Sequence, residues 1–99
     1  MNVVSFSFHP AALEEAVAAA TWYRERSPLA AKRFIAELNR ALDRIYDAPQ
    51  RWPRSTRGTR KVKLSRFPFL VIYRESLGSI LILAVAHGYR RPGYWKSRL

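Results

Sequence analysis

The sequence predicts an α+β fold in which an N-terminal strand and an α-helical hairpin precede a three-stranded antiparallel meander. Three observations predict it: alternating apolar residues near the N-terminus, two helical stripes separated by a proline, and three strand-like runs in the second half. Since the direction of the chain reverses at each step, we expect one antiparallel sheet with both helices packed on one face. The 99 residues fit a single domain that spans residues 1–99.

The first strand and the first helix are predicted from the N-terminal third of the chain. Val4, Phe6 and Phe8 alternate with small polar residues, which is the period of a half-buried strand. Pro10 suits the first turn of a helix. We expect this helix to be covered on two sides, since its apolar residues form two stripes: Leu13, Ala16, Val17, Ala20 and Tyr23 in one, and Ala12, Ala19 and Trp22 in the other.

The second helix follows almost without a loop. Ser27 is a favourable N-cap and Pro28 a favourable first helical residue, so the pair predicts a helix boundary. Pro49 ends the helix. Its apolar stripe consists of Ala31, Phe34, Leu38, Ala41, Leu42 and Ile45.

The second half reads as sheet. Val62 and Leu64 alternate with polar residues, as in a strand with one solvated face, and Phe67–Tyr73 is apolar on both faces, as in a central strand. Gly78 predicts a turn before the last strand, Ile80–Ala86. Both apolar runs are too short to span a membrane as helices. The tail from His87 onward is basic with aromatic residues interleaved.

Charge divides the chain into two unlike halves. The formal net charge is +11. Up to Asp47 the acidic residues, Glu14 and Glu15 among them, balance the basic ones, whereas Glu75 is the one acidic residue after it. A basic field of this strength attracts nucleic acid, the ribosome or an acidic protein, although high charge also serves solubility alone. The basic residues of the second half are Arg51, Arg54, Arg57, Arg60, Lys61, Lys63, Arg66, Arg74, Arg90, Arg91, Lys96 and Arg98.

Composition narrows the function classes. Without cysteine the chain forms no disulfide, and two histidines do not complete a structural zinc site. A two-metal nuclease needs several convergent carboxylates, which the basic half lacks. We therefore expect no metal and no cofactor. The first ten residues do not have the pattern of a signal peptide, and we expect a cytoplasmic protein without membrane association.

Taken in order, these segments resemble the RelE/ParE superfamily of toxins, and the ending resembles members called plasmid-stabilisation proteins. The alanine-rich stretch Pro10–Trp52 resembles the helix hairpin of ParE-type toxins. The strand segments that resemble the superfamily's sheet are Gly58–Leu64, Phe67–Arg74 and Leu83–His87, and the ending is Arg90–Trp95. The resemblance covers nearly the whole chain and rests on the order and spacing of the segments.

The resemblance implies the toxin of a type II toxin–antitoxin system, which inhibits growth until an acidic, partly disordered antitoxin wraps it in a hetero-oligomer. Because the helices cover one face of the sheet, we expect the other face to be bare and to need this partner, with self-association as the alternative. ParE-like toxins inhibit DNA gyrase by binding, and RelE-like toxins cut mRNA on the ribosome. A third possibility is a non-toxic, basic module that binds nucleic acid.

RelE-like cleavage gives the candidate catalytic residues. Lys61 and Lys63 project from one face of a strand about 7 Å apart, and they match the paired lysines of RelE-like nucleases. In that scheme Lys61 or His87 moves protons, Lys63 and Arg90 hold the phosphate, and Tyr94 stacks on or orients a base. Alternatively the lysines protect an edge strand, His87 merely ends the last strand, and Tyr94 and Trp95 pack the tail onto the sheet.

Departures from the RelE pattern favour the ParE-like function. Leu70 and Gly88 stand where RelE-like nucleases have arginines, and a lost phosphate-binding arginine weakens transition-state stabilisation by several kcal/mol. We therefore favour gyrase as the target, and we leave mRNA cleavage open as the alternative. The residues expected to contact the target or nucleic acid are Arg57, Arg60, Arg90, Arg91 and Arg98.

Overall fold

The structure is a computed structural model that describes residues 3–99. Met1 and Asn2 lie outside the described residues. They begin the stretch that we expect not to be a signal peptide. The order of elements confirms the predicted strand, helix hairpin and three-stranded meander. The elements are β1 (Ser5–Phe8), α1 (Pro10–Arg26), α2 (Pro28–Asp47), β2 (Thr59–Lys63), β3 (Phe69–Ser76) and β4 (Ser79–His87), with 3₁₀ helices at Thr56–Gly58 and Tyr94–Arg98.

Both helices begin at side-chain caps. The Nδ1 atom of His9 accepts a hydrogen bond from the N–H of Ala11 at 3.1 Å, and the Ser27 hydroxyl accepts one from the N–H of Ala30 at 3.2 Å. Each cap satisfies one of the N–H groups that a helix leaves unpaired at its start. The Ser27–Pro28 boundary is therefore confirmed.

The sheet has the strand order β1-β4-β3-β2. The meander is antiparallel, as predicted, but β1 pairs in parallel with β4, so the expectation of a wholly antiparallel sheet is wrong. Two reversals separate β2 from β4, and hence β1 and β2 run in the same direction. The helix hairpin and the connection after it thus return the chain to the end of the sheet from which β1 started.

One face of the sheet packs against the helices. The stripe predicted for α2 is confirmed, with Phe34 and Ile45 fully buried. The two-sided cover predicted for α1 is wrong: four of its alanines are buried in the core, whereas Leu13, Val17 and Trp22 are 53%, 58% and 51% exposed. Among residues 3–99 the core of the sheet and α2 occupy one side of α1, which leaves these larger side chains on the other.

The second face of the sheet is covered by the chain itself, so the prediction of a bare face is wrong. Trp95, in the C-terminal 3₁₀ helix, is 3% exposed and packs in a second apolar cluster. A shift of strand register between Ile72 and Tyr73 of β3 lets the consecutive residues Leu83 and Ala84 both join this cluster. Packing of the tail onto the sheet, the alternative prediction for this segment, is confirmed.

Candidate functional site

Lys61 and Lys63 lie exposed on the face of the sheet opposite the helices. Within the β2–β3 ladder Lys61 pairs with Ile72 and Lys63 with Leu70. Since Ile72 belongs to the cluster under Trp95, both lysines border the surface that the tail covers. Their cross-strand neighbours on β3 are apolar and offer no group that exchanges protons with an ammonium.

His87 lies on the other face of the sheet. The side chain of Ala86 lies on the face of the sheet that the tail covers. Side chains alternate between faces along a strand, so that of His87, one residue later, points to the helix side. There its ring packs edge-on against Phe69, with ring centroids 5.0 Å apart, and stacks with Tyr89. The sheet therefore separates His87 from the two lysines, whereas His87 and Tyr94, two of the four residues expected to be catalytic in a RelE-like enzyme, line the same cleft.

The ring of His87 is arranged to donate a hydrogen bond. Its Nδ1 atom accepts a hydrogen bond from the N–H of Tyr89 at 3.1 Å. In the neutral ring the proton consequently resides on Nε2. A general base needs an unprotonated nitrogen directed at its substrate, and this hydrogen bond already occupies that nitrogen.

Tyr94 contacts Glu15 of α1. Its hydroxyl donates a 2.5 Å hydrogen bond to Oε2 of Glu15, whose carboxylate also binds the Arg98 guanidinium at 2.8 Å and accepts from the N–H of Val85 at 3.0 Å. Arg98 donates a further bond to the carbonyl of Leu83 at 2.9 Å. We call Glu15, Tyr94 and Arg98 the tail latch, because together they fix the C-terminal 3₁₀ helix to α1 and β4.

The tail latch shifts the pKa values of its members. Burial raises the pKa of Glu15, but the hydrogen bonds from Arg98, Tyr94 and Val85 outweigh it and hold this pKa below its usual value. Burial, together with the hydrogen bond to the Glu15 carboxylate, raises the pKa of Tyr94 to about 12. Tyr94 therefore stays protonated as a donor at neutral pH.

The tail latch also protects the edge of the sheet. β1 pairs with Ser79–Ile82, so β4 needs other hydrogen-bond partners beyond Ile82. Arg98 and Glu15 bind the carbonyl of Leu83 and the N–H of Val85 on that edge. An edge occupied in this way does not pair with another strand.

The five arginines expected to contact a target have different environments. Arg57 and Arg91 are exposed. The Arg60 guanidinium donates to the carbonyl of Trp52 at 2.6 Å and so holds the connection between α2 and β2 in place. Arg98 is engaged in the tail latch, with its side chain 14% exposed. The guanidinium carbon of Arg90 lies 3.9 Å from the centroid of the Tyr94 ring, and Arg90 is otherwise exposed.

Glu15 is the residue that the sequence analysis did not single out. A carboxylate near the start of a helix commonly interacts favourably with the helix N-terminus, but the first turn of α1 holds no acidic residue. Glu15 instead binds a residue 83 positions later. No local pattern indicates such a contact, since it depends on how the tail folds back.

The part of the chain that the structure describes contains no group of three His, Asp or Glu side chains arranged to hold a metal ion. Within residues 3–99, neither α1 nor α2 combines the length and the apolar character that crossing a membrane requires.

Comparisons with known proteins identify the family. A family model described as the ParE toxin of a type II toxin–antitoxin system, parDE, matches residues 6–92. Among solved structures, the chromosomal ParDE TA system from P. aeruginosa is similar in fold, with a TM-score of 0.73, 21% identity, and coverage of 84% of this chain and 94% of that chain. None of the curated proteins searched matches this chain. Because the family model spans most of the chain, this protein belongs to the ParE toxin family of type II toxin–antitoxin systems.

Proposed function

We propose that the chain inhibits bacterial growth by binding DNA gyrase and that a cognate acidic antitoxin neutralises it. The observation that carries this proposal is the separation of Lys61 and Lys63 from His87 by the sheet. A nuclease must bring its proton-transfer groups and its phosphate-binding cations to one reacting phosphate. A protein that acts by binding has no such requirement.

Electrostatics supports a target and a partner that are negatively charged. The net charge of +11 comes from the second half of the chain, and most of these basic side chains are exposed. Such a field speeds association with an acidic surface and is weakened by salt. We propose that Arg57, Arg90 and Arg91 contribute to contact with the target. Gyrase is a cytoplasmic enzyme, and the proposal implies the same compartment for this protein.

Inhibition of supercoiling by purified gyrase tests the proposal. We expect the purified protein to block supercoiling, and we expect replacement of Arg57 and Arg91 with glutamine to weaken the block. Replacement of Arg24 and Arg44, two exposed arginines of the neutral half, is the matched control and leaves the block unchanged. Unimpaired supercoiling at saturating protein contradicts the proposal.

The same preparation tests the alternative functions. Added to a translation extract with intact ribosomes, a RelE-like protein cuts the message within codons, whereas a gyrase inhibitor leaves it intact. A module that merely binds nucleic acid slows the electrophoretic migration of DNA and RNA of any sequence in a salt-sensitive manner. It neither inhibits gyrase specifically nor cuts the message. Cleavage of the message favours Lys61, Lys63 and Tyr94 as an enzyme site.

A further inference from the structure

The chain leaves β4 through a tight turn that presents an exposed tyrosine. The N–H of Arg90 donates a hydrogen bond to the carbonyl of His87 at 3.0 Å and closes the turn. We call residues 87–91 the Tyr89 turn. Tyr89 is its third residue and is 93% exposed. None of the functions discussed above uses this ring.

The ring of Tyr89 is held in one position. It stacks on the ring of His87, with centroids 5.1 Å apart and an interplanar angle of 29°, and the N–H of Tyr89 donates to Nδ1 of His87 at 3.1 Å. The N–H of Gly88 donates to the carbonyl of Pro68 at 2.8 Å and ties the turn to the segment before β3. With His87 against one face, the other face of the ring is open to solvent. A group that is ordered before binding loses less conformational entropy when a ligand stacks on it.

Two arginines follow Tyr89 directly. The guanidinium of Arg90 is fixed by its stack on the ring of Tyr94, and Arg91 is exposed. Among the ion pairs within residues 3–99, none involves either arginine. Both cations therefore remain available to an anion that lies beside the ring of Tyr89.

The carboxylates of the second half and of the tail latch do not compete for these cations. Glu75 pairs with Ile80 near the start of β4, whereas the Tyr89 turn follows the end of that strand, so Glu75 lies at the opposite end of the sheet. Both oxygens of Glu15 accept hydrogen bonds from the tail latch and β4. The Tyr89 turn is therefore a positively charged surface that attracts a polyanion.

An open aromatic face beside unpaired cations suits a single strand of nucleic acid. Proteins bind such strands by stacking bases on aromatic rings and by pairing the phosphates with cations. In a duplex both faces of each base are stacked on neighbouring bases, so the open face of Tyr89 requires an unpaired base. Carboxylates of an acidic protein would satisfy the arginines but would leave the ring unused.

We propose that the Tyr89 turn binds single-stranded DNA, with one unpaired base stacked on Tyr89 and the adjacent phosphates bound by Arg90 and Arg91. This inference rests on the proposed function, since gyrase acts on DNA and brings the strand to the toxin. It deepens that function by assigning the target contacts proposed for Arg90 and Arg91 to the DNA of the gyrase complex.

Fluorescence anisotropy with the purified, full-length protein tests the inference. The probe is a labelled thymidine oligonucleotide of about ten nucleotides, a length within the usual site size for single strands. The control strand carries the same phosphates but an abasic sugar at every position, and it measures charge attraction alone. We expect the thymidine strand to bind about tenfold more tightly, the usual gain from stacking one base on an aromatic ring.

Variants of Tyr89 test the stacking. Tyr89→Ala should weaken binding of the thymidine strand by about tenfold and leave binding of the abasic strand unchanged. Tyr89→Phe keeps the ring and should keep the affinity. Tyr46→Ala, which removes a half-exposed tyrosine of α2, is the matched control and should leave both affinities unchanged. Addition of the thymidine strand should also shift the nuclear magnetic resonances of the Tyr89 ring.

Salt dependence tests the role of the arginines. Each phosphate contact to a single strand contributes about 0.7 to the slope of log affinity against log salt concentration. Joint replacement of Arg90 and Arg91 with glutamine should therefore reduce this slope by about 1.4. Joint replacement of Arg24 and Arg44, exposed arginines of the neutral half, should leave it unchanged. Tyr89→Ala should also leave it unchanged, because this variant removes stacking and no charge.

Several outcomes overturn the inference. They are equal affinity for the thymidine and abasic strands, an affinity that Tyr89→Ala does not change, and a salt slope that does not respond to loss of Arg90 and Arg91. Tighter binding of duplex DNA than of the single strand, or binding of RNA alone, also overturns it.

The inference and the proposed target fail separately. A protein that blocks gyrase but binds the thymidine and abasic strands alike contradicts this inference alone. One that binds the thymidine strand through Tyr89 yet leaves gyrase active contradicts the proposed target alone.

Discussion

The carboxylate of Glu15 in α1 and the guanidinium of Arg98 in the C-terminal 3₁₀ helix form an ion pair at 2.8 Å, although 83 residues separate them in sequence. Both side chains are largely buried, at 16% and 14% exposure. The pair joins the first helix, the open edge of β4 and the tail, and it therefore fixes the segment that covers the second face of the sheet.

Glu15→Gln should destabilise the fold. The amide cannot balance the charge of Arg98, and a partly buried cation left without its partner costs about 2 kcal/mol of unfolding free energy. Urea denaturation followed by circular dichroism measures this loss. Glu14→Gln is the matched control, since Glu14 is the adjacent exposed residue, and it should change the unfolding free energy by less than about 0.5 kcal/mol. Equal effects of the two changes would contradict the structural role of Glu15.

Stability should fall on acidification through the same carboxyl group. The pKa of Glu15 is lower in the folded protein than its usual value, and so is that of Glu75, mainly through the N–H of Gly78. A lowered carboxyl pKa stabilises the fold above its unfolded pKa of about 4.3, and this stabilisation is lost as the pH falls through the folded value. Unfolding free energies from pH 7 to below pH 4 should decline less steeply in Glu15→Gln than in the unaltered protein. Parallel curves would show that Glu15 contributes nothing to the decline.

Trp95→Ala should release the tail. Trp95 is 3% exposed over Ile72, Leu83, Ala84 and Ala86, and truncation of a buried tryptophan costs about 3 kcal/mol. Limited proteolysis should cut the C-terminal segment of the variant first, and hydrogen exchange should speed up at Val85. A tail equally protected in both proteins would mean that the latch alone holds it.

Replacement of Lys61 and Lys63 together with arginine should leave growth inhibition unchanged. Arginine keeps the charge but does not give up its proton at neutral pH, and both positions are exposed. A cleaving enzyme that uses one of these lysines in acid–base catalysis would lose about 100-fold or more in rate. Growth curves after induction of matched amounts of protein provide the measurement, and a loss of toxicity in the arginine variant would favour the RelE-like alternative.

Local sequence patterns predicted most of the fold. Ser27–Pro28, the stripe of α2 and the turn at Gly78 depend on interactions within a few residues, and each was confirmed. The parallel pairing of β1 with β4 depends on the path of the whole hairpin, and no local pattern encodes it. The prediction of a bare second face was wrong for a similar reason, because Trp95 reaches that face only through the fold of the tail.

The candidate site was less predictable than the fold. Strand periodicity correctly placed Lys61 and Lys63 on one face, but the face of His87 follows from its register with Phe69 on β3. The resemblance to RelE-like nucleases therefore grouped Lys61 and Lys63 with His87, which the sheet separates from them. The roles of Arg60 and Arg98 depend on distant carbonyl and carboxylate partners, which composition and charge do not reveal.

Rates of macromolecular synthesis in the first minutes after induction test the central claim most directly. The chain is expressed alone in bacteria, and incorporation of labelled thymidine and labelled methionine is followed together. We predict that thymidine incorporation collapses first, since inhibited gyrase halts replication while translation continues. Early collapse of methionine incorporation with thymidine incorporation sustained would contradict gyrase as the target, and unchanged incorporation of both labels would contradict toxicity altogether.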